Sequence, residues 1–202
     1  MSSQTQREQV LALAGRASLL RAKDVAALSL PTVILSRLVK DGRLKRVGRG
    51  VYAHPDQPLS EHISLAEIAL RVPRGVICLL SALRIHGLGT QAPHQVWLAI
   101  PQNSPTPRVE RPSLRPVRMS GQALTEGVEF MCFDGVDVPV FNAAKTIADC
   151  FKYRNKIGID VALEALREGW EQRRVSIDEL SHYADIDRVS NVMRPYLESM
   201  TA

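Results

Sequence analysis

The stretch from Arg21 to Tyr52, RAKDVAALSLPTVILSRLVKDGRLKRVGRGVY, leaves a chain few ways to fold. Arg21 to Ala27 makes a short helix and Leu28 to Pro31 a tight turn. Pro31 suits the opening of the next helix, where its missing N–H loses no partner. That helix runs from Thr32 to Lys40, and Gly42 just beyond it supplies the positive φ that stops it. Leu44-Lys45-Arg46-Val47 then alternates, glycines flank Arg49, and Val51-Tyr52 returns, which is the pattern of a hairpin. Helix, turn, helix and basic wing predict a winged helix-turn-helix, which sets its second helix into the DNA major groove.

That second helix has two faces. Ile34, Leu35, Leu38 and Val39 recur on one side and face a core, whereas Thr32, Val33, Ser36, Arg37 and Lys40 lie on the other. Hydroxyls, a methyl group and two cations on one exposed face can read base edges and hold phosphates. The expected DNA-contacting residues are therefore Thr32, Ser36, Arg37 and Lys40 on the helix, with Lys45, Arg46 and Arg49 on the wing. Arg49 stands at the wing tip, where an arginine can enter a minor groove. A plain helical domain with a solvated basic face, or a winged helix used for protein contacts, are the competing accounts. The gathering of cations on the two elements that a winged helix presents to DNA tells against the first, and the second is the stronger competitor.

Charge supports the division. The chain of 202 residues carries a net +5, but residues 1–55 hold ten Lys and Arg against three Asp and Glu, and residues 56–202 hold sixteen against eighteen. The basic character belongs to the first quarter, as expected of a part that meets a polyanion. A helix from Thr5 to Ala14, ended by Gly15, would close the core beneath the motif. His54-Pro55-Asp56-Gln57-Pro58 breaks the pattern as a short stiff linker, so the domains are placed at 1–55 and 60–202.

The fold class is α+β, with the winged helix followed by a mixed α/β domain of a small sheet and C-terminal helices. Ser60 caps a helix over Glu61 to Val72. Strands fall at Val76 to Leu79, Gln95 to Ile100, Arg115 to Ser120, Val128 to Phe133 and Val136 to Val140, the last two joined at Asp134-Gly135. A short helix from Ser81 to His86 stops at Gly87. Residues 101–116 hold five prolines and read as a long loop with no assigned role. From Asn142 the chain is helical, with a cap at Asn142, a helix over Asp160 to Trp170, a capping box at Ser176 and Glu179, and a last helix kinked or divided at Pro195.

No catalytic constellation emerges, and an enzyme is not expected. There is no glycine-rich phosphate loop, and Asp134 and Asp137 flank a turn that favours Asp on backbone grounds. The residues after Glu129 are Phe130 and Met131, without the lysine that a restriction-type nuclease needs. The five histidines form no ligand pair, so neither metal nor cofactor is expected. Cys78, Cys132 and Cys150 match no ligand spacing and read as buried free thiols suited to a reducing cytoplasm. No signal peptide or membrane span is expected, and the protein is read as cytoplasmic. Lys145, Lys152, Arg154 and Lys156 concentrate positive charge in the otherwise acidic part, either as a solvated helix face or as a second anion-contacting surface.

Three segments carry a family likeness: Leu44 to Tyr52 of the wing; Ala82-Leu83-Arg84-Ile85-His86-Gly87-Leu88 with the Val96-to-Pro101 strand; and Asp137 to Val140 leading into Lys145 to Cys150 and Ala162 to Arg167. In this order they resemble the AbiEi antitoxins of bacterial type IV toxin–antitoxin, or abortive-infection, systems. The resemblance implies a repressor of its own operon whose C-terminal domain neutralises a nucleotidyltransferase-like toxin encoded beside it, with duplex DNA and that toxin as partners. It leaves open whether neutralisation needs direct contact. The alternative is a ligand-sensing winged-helix regulator without a toxin, which would need an apolar pocket in residues 60–202.

Overall fold

The structure, a computed structural model, describes residues 3–16, 19–48, 50–56, 61–109 and 112–201. They form two compact units, residues 1–71 with 132–137 and residues 72–131 with 138–202.

The first unit opens with α1 (Ser3–Arg16), β1 (Leu20–Arg21), α2 (Ala22–Ala27), α3 (Val33–Lys40), β2 (Lys45–Gly48) and β3 (Val51–Ala53). The expected helices and wing are all present. α1 runs one residue past Gly15, where helix was expected to end. One apolar cluster joins these elements: Val10 and Ala14 from α1, Val25 from α2, Ile34, Leu35 and Leu38 from α3, and Leu44 and Tyr52 from the wing. Burying a side chain of Leu or Ile size contributes about 1.5–3 kcal/mol, so the inward stripe of α3 holds that helix on the domain. Its outward residues are left free for another partner. Gly42 has φ +68, as the stop requires.

β1 was not foreseen, because two residues are too short for any periodicity to show. Leu20 pairs with Tyr52 and Arg21 with Val51, which makes a three-stranded antiparallel sheet in the order β1-β3-β2. The Asp24 carboxylate accepts from the Arg21 backbone N–H at 3.3 Å and from its guanidinium at 2.6 Å, fixing the start of α2. The Arg21 guanidinium holds the Asp24 carboxyl below its ordinary range.

The same unit includes α4 (Ile63–Arg71), two residues shorter at its start than expected. Ser60, the expected cap, lies outside the described residues. Glu67 of α4 is buried beside the wing, and a Cβ on Gly48 would meet its carboxyl, which would have to shift. Burial pushes the Glu67 carboxyl up, opposed by Arg71 at 2.8 Å. In the sequence the two compact units meet at Arg71 and Val72, after α4.

The second unit contains β4 (Val76–Ile77), α5 (Leu79–His86), β5 (Val96–Pro101), β6 (Leu114–Met119), α6 (Gln122–Thr125) and the greater parts of β7 (Val128–Phe133) and β8 (Val136–Phe141). α7 (Ala143–Lys152), α8 (Arg154–Ile157), α9 (Ile159–Glu171), α10 (Ile177–Asp187) and α11 (Ser190–Thr201) follow. The sheet order is β6-β5-β4-β8-β7. β4 runs antiparallel to β5 and parallel to β8, and β5 runs parallel to β6. Asp134 and Gly135, at φ +50 and +74, make the tight turn between β7 and β8, and this turn is compact with the first unit.

α7 is the axis of the second unit. Every residue from Ala144 to Phe151 is buried, and α5, α9 and α10 pack around it. The Asn142 side chain accepts from the Lys145 backbone N–H at 2.8 Å, capping the helix as expected. The Ser176–Glu179 box caps α10 reciprocally. Pro195 sits inside α11 without dividing it. Cys132 is exposed, unlike Cys78 and Cys150, because it lies on an outward position of edge strand β7.

Candidate nucleic-acid interface

Thr32, Val33, Ser36, Arg37 and Lys40 are all exposed, and they lie on α3 opposite Ile34, Leu35 and Leu38. Thr32 stands at the N-cap with no side-chain capping bond, so its hydroxyl is not consumed by the helix. Val33 is 53% exposed, unusual for a large apolar side chain and suited to a thymine methyl. Arg37 and Lys40 occupy the last turn, where their charge also complements the helix dipole.

The wing supplies fewer free cations than its sequence suggests. Arg46 is exposed, with its Nε donating to the Gly48 carbonyl at 3.1 Å, which curls the side chain along the strand. Lys45 is half-buried, and its Nζ donates to the Pro55 carbonyl at 3.2 Å, so it ties the wing to the segment that follows β3. Arg49 lies outside the described residues. Arg43, exposed in the turn between α3 and β2, is a further cation at this surface that the sequence reading passed over. Its signal was its position, directly between the recognition helix and the wing.

The second basic surface expected at Lys145, Lys152, Arg154 and Lys156 does not form as such. Lys145 is fully buried: its Nζ donates to Asp149 Oδ1 at 2.5 Å and to Asp187 Oδ2 at 3.1 Å. Burial opposes its charge, but the two carboxylates outweigh burial and push the Lys145 pKa up. Lys152 is spent on the other Asp187 oxygen at 3.2 Å. Arg154 donates to the Phe151 carbonyl at 2.9 Å, and Lys156 lies 5.4 Å from the Tyr153 ring centroid. Charges at helical spacing look solvated, but here Lys145 has, besides Asp149 on its own helix, a partner in Asp187, which comes from α10.

Among the described residues no group of three His, Cys, Asp or Glu side chains could hold a metal ion. His86 is buried with its Nε2 2.7 Å from the Phe141 carbonyl, a structural contact between α5 and β8. A groove of about 470 Å³ lies between α10 and α11, floored by Ile177, Ala184 and Leu197 and rimmed by Asp185, Arg194 and Glu198. Asp185 already accepts from Ser190, and Arg194 donates to Asn191 at 2.5 Å. No described helix is long and apolar enough to cross a membrane.

The fold is similar to that of the RV2827C protein from Mycobacterium tuberculosis, known from a crystal structure. The TM-score is 0.61 at 14% identity, covering 90% of this chain and 71% of that one. At that identity the likeness speaks for the α+β fold alone. No curated protein matches the chain. Residues 8–55, from within α1 to just past β3, match the family model described as transcriptional regulator, AbiEi antitoxin. The winged helix of this chain is thus similar to the regulator domain that this family model describes.

Proposed function

We propose that the chain is a DNA-binding antitoxin that represses its own toxin–antitoxin operon. Residues 1–55 bind duplex DNA in the promoter, and residues 60–202 neutralise a cognate nucleotidyltransferase-type toxin of a type IV, phage-defence system, in the cytoplasm and without catalysis. The observation that carries the reading is the outward face of α3, with two hydroxyls, an exposed valine and two cations on a domain matched by an antitoxin regulator family. Thr32, Ser36 and Arg37 read bases, while Lys40, Arg43, Arg46 and Arg49 hold phosphates.

Titrating the protein onto its promoter duplex at several salt concentrations tests this. Each phosphate neutralised contributes a slope of about −0.9 in log K against log salt, so Arg46→Ala should reduce the slope by roughly 1 with its sequence preference kept. Lys45→Ala should change the slope less, because that lysine is committed to Pro55. A wild-type affinity that ignores salt would contradict DNA binding altogether.

A further inference from the structure

The groove between α10 and α11, of about 470 Å³, falls within the size range of small-molecule sites. Its floor of Ile177, Ala184 and Leu197 is aliphatic, without an aromatic ring. Asp185 and Glu198 stand on the rim with Arg194, so both signs of charge border one apolar surface.

Asp185 and Arg194 do not neutralise each other. Asp185 accepts from the Ser190 hydroxyl, and Arg194 donates through Nη2 to the Asn191 side-chain oxygen at 2.5 Å. Neither lies within ion-pair distance of the other. Each charge is steadied by a neutral neighbour instead, and the Nε and Nη1 donors of Arg194 are left over.

Pro195 adds a third feature. It sits inside α11 and has no N–H, so the carbonyl of Asn191, four residues back, lacks its helical donor. Asn191 is itself part of the groove wall. Asp185 lies in the last turn of α10, where a helix C-terminus contributes partial negative charge. A carboxylate, an open carbonyl and a helix C-terminus suit an ammonium group. A guanidinium with spare donors suits a carboxylate.

A water-filled crease between two helices is the competing account. A crease gives no reason for a proline inside α11, which destabilises a helix by removing a hydrogen bond. A partner's helix fits no better. Helix-in-groove recognition uses apolar anchors over two turns, and a floor of three residues is too short for them.

We propose that the α10–α11 groove binds a free aliphatic α-amino acid of the leucine class. Arg194 takes the carboxylate, Asp185 and the Asn191 carbonyl take the ammonium, and Ile177, Ala184 and Leu197 cover the side chain. Both helices belong to the second unit, and the site stands independently of the DNA-binding reading.

Calorimetric titration of the full chain tests this with four probes. These are leucine, isocaproate without the ammonium, isoamylamine without the carboxylate, and glycine without the side chain. Leucine should bind, and each of the others should bind at least roughly tenfold more weakly, for want of one charge-assisted contact or of the buried side chain. Arg194→Gln and Asp185→Asn should each weaken leucine by roughly tenfold. Pro195→Ala, which returns an N–H to the Asn191 carbonyl, should weaken it less. Asp185 and Arg194 are exposed, so the fold should be kept, as thermal unfolding will check. Should either charge variant misfold, Ser181→Trp decides, because it fills the groove from another exposed position of its wall. Leucine that still binds this variant as it binds the wild type overturns the proposal. Isoamylamine or isocaproate binding as tightly as leucine shows a site for a single charge and overturns it too. So does unchanged leucine affinity in the folded Arg194→Gln and Asp185→Asn chains, or no leucine binding to the wild type by calorimetry and by saturation-transfer NMR.

Discussion

Lys145 is a cation with no exposure, held between Asp149 and Asp187 in the middle of the second unit. Removing one member of such a group leaves charge buried without a partner, which costs about 3–5 kcal/mol, whereas the intact group adds far less net stability. Lys145→Met should therefore destabilise the protein by about 3–5 kcal/mol in urea unfolding at neutral pH. The sign with pH follows from the upward shift: the lysine's contribution is complete below its unfolded value of 10.5 and is lost as pH rises through the higher folded value. The difference between wild type and variant should shrink in strongly alkaline buffer, and a constant difference would place the stabilisation elsewhere. Arg37 lives at the same scale but faces outward. Arg37→Ala should cost about 1–3 kcal/mol on the promoter and much less on random duplex, as measured by fluorescence anisotropy. Equal losses on both would make Arg37 a backbone contact and move the base reading to Thr32, Ser36 or the wing.

At the scale of elements, legibility in the sequence followed how local the cause was. α3 was legible because its apolar stripe, proline entry and glycine stop all lie within twelve residues. The caps at Asn142 and Ser176 were legible for the same reason, since each side chain satisfies an N–H three residues on. β1, α6 and α8 were not, because two- and four-residue elements are fixed by neighbours rather than by periodicity. α7 was legible as a helix but not as a buried one, since a helix with Lys145 and Asp149 reads as having a solvated face until α10 is known to cover it. Asn142→Ala removes the cap of this central helix and should cost about 1 kcal/mol in thermal or urea unfolding. A loss no larger than for an exposed surface substitution would mean that packing alone fixes the helix start. Gly127 is a sharper case: it has φ +73, and a Cβ would lie 2.8 Å from the Lys145 Cβ, so Gly127→Ala should destabilise more than the lost cap.

Taken as a whole, the molecule separates its charge and its proposed tasks. Residues 8–55 match the model of the AbiEi antitoxin regulator family, and the neutralising role is proposed for the remainder. If the tasks are separate, damage to the α3 face in the intact chain should abolish promoter binding and leave growth protection against the neighbouring toxin in place. The central claim, that α3 is what reads the DNA, is tested most directly by one titration: promoter affinity of the full chain carrying Arg37→Glu and Lys40→Glu. Both residues are exposed and neither is part of the apolar cluster, so the fold should persist, with an unfolding midpoint lowered only slightly by acidic charge at the C-terminal end of α3. The account expects affinity to fall at least roughly a hundredfold, to the level of random duplex or below, through lost contacts and repulsion from phosphate. A folded double variant that binds its promoter as tightly as the wild type would contradict it.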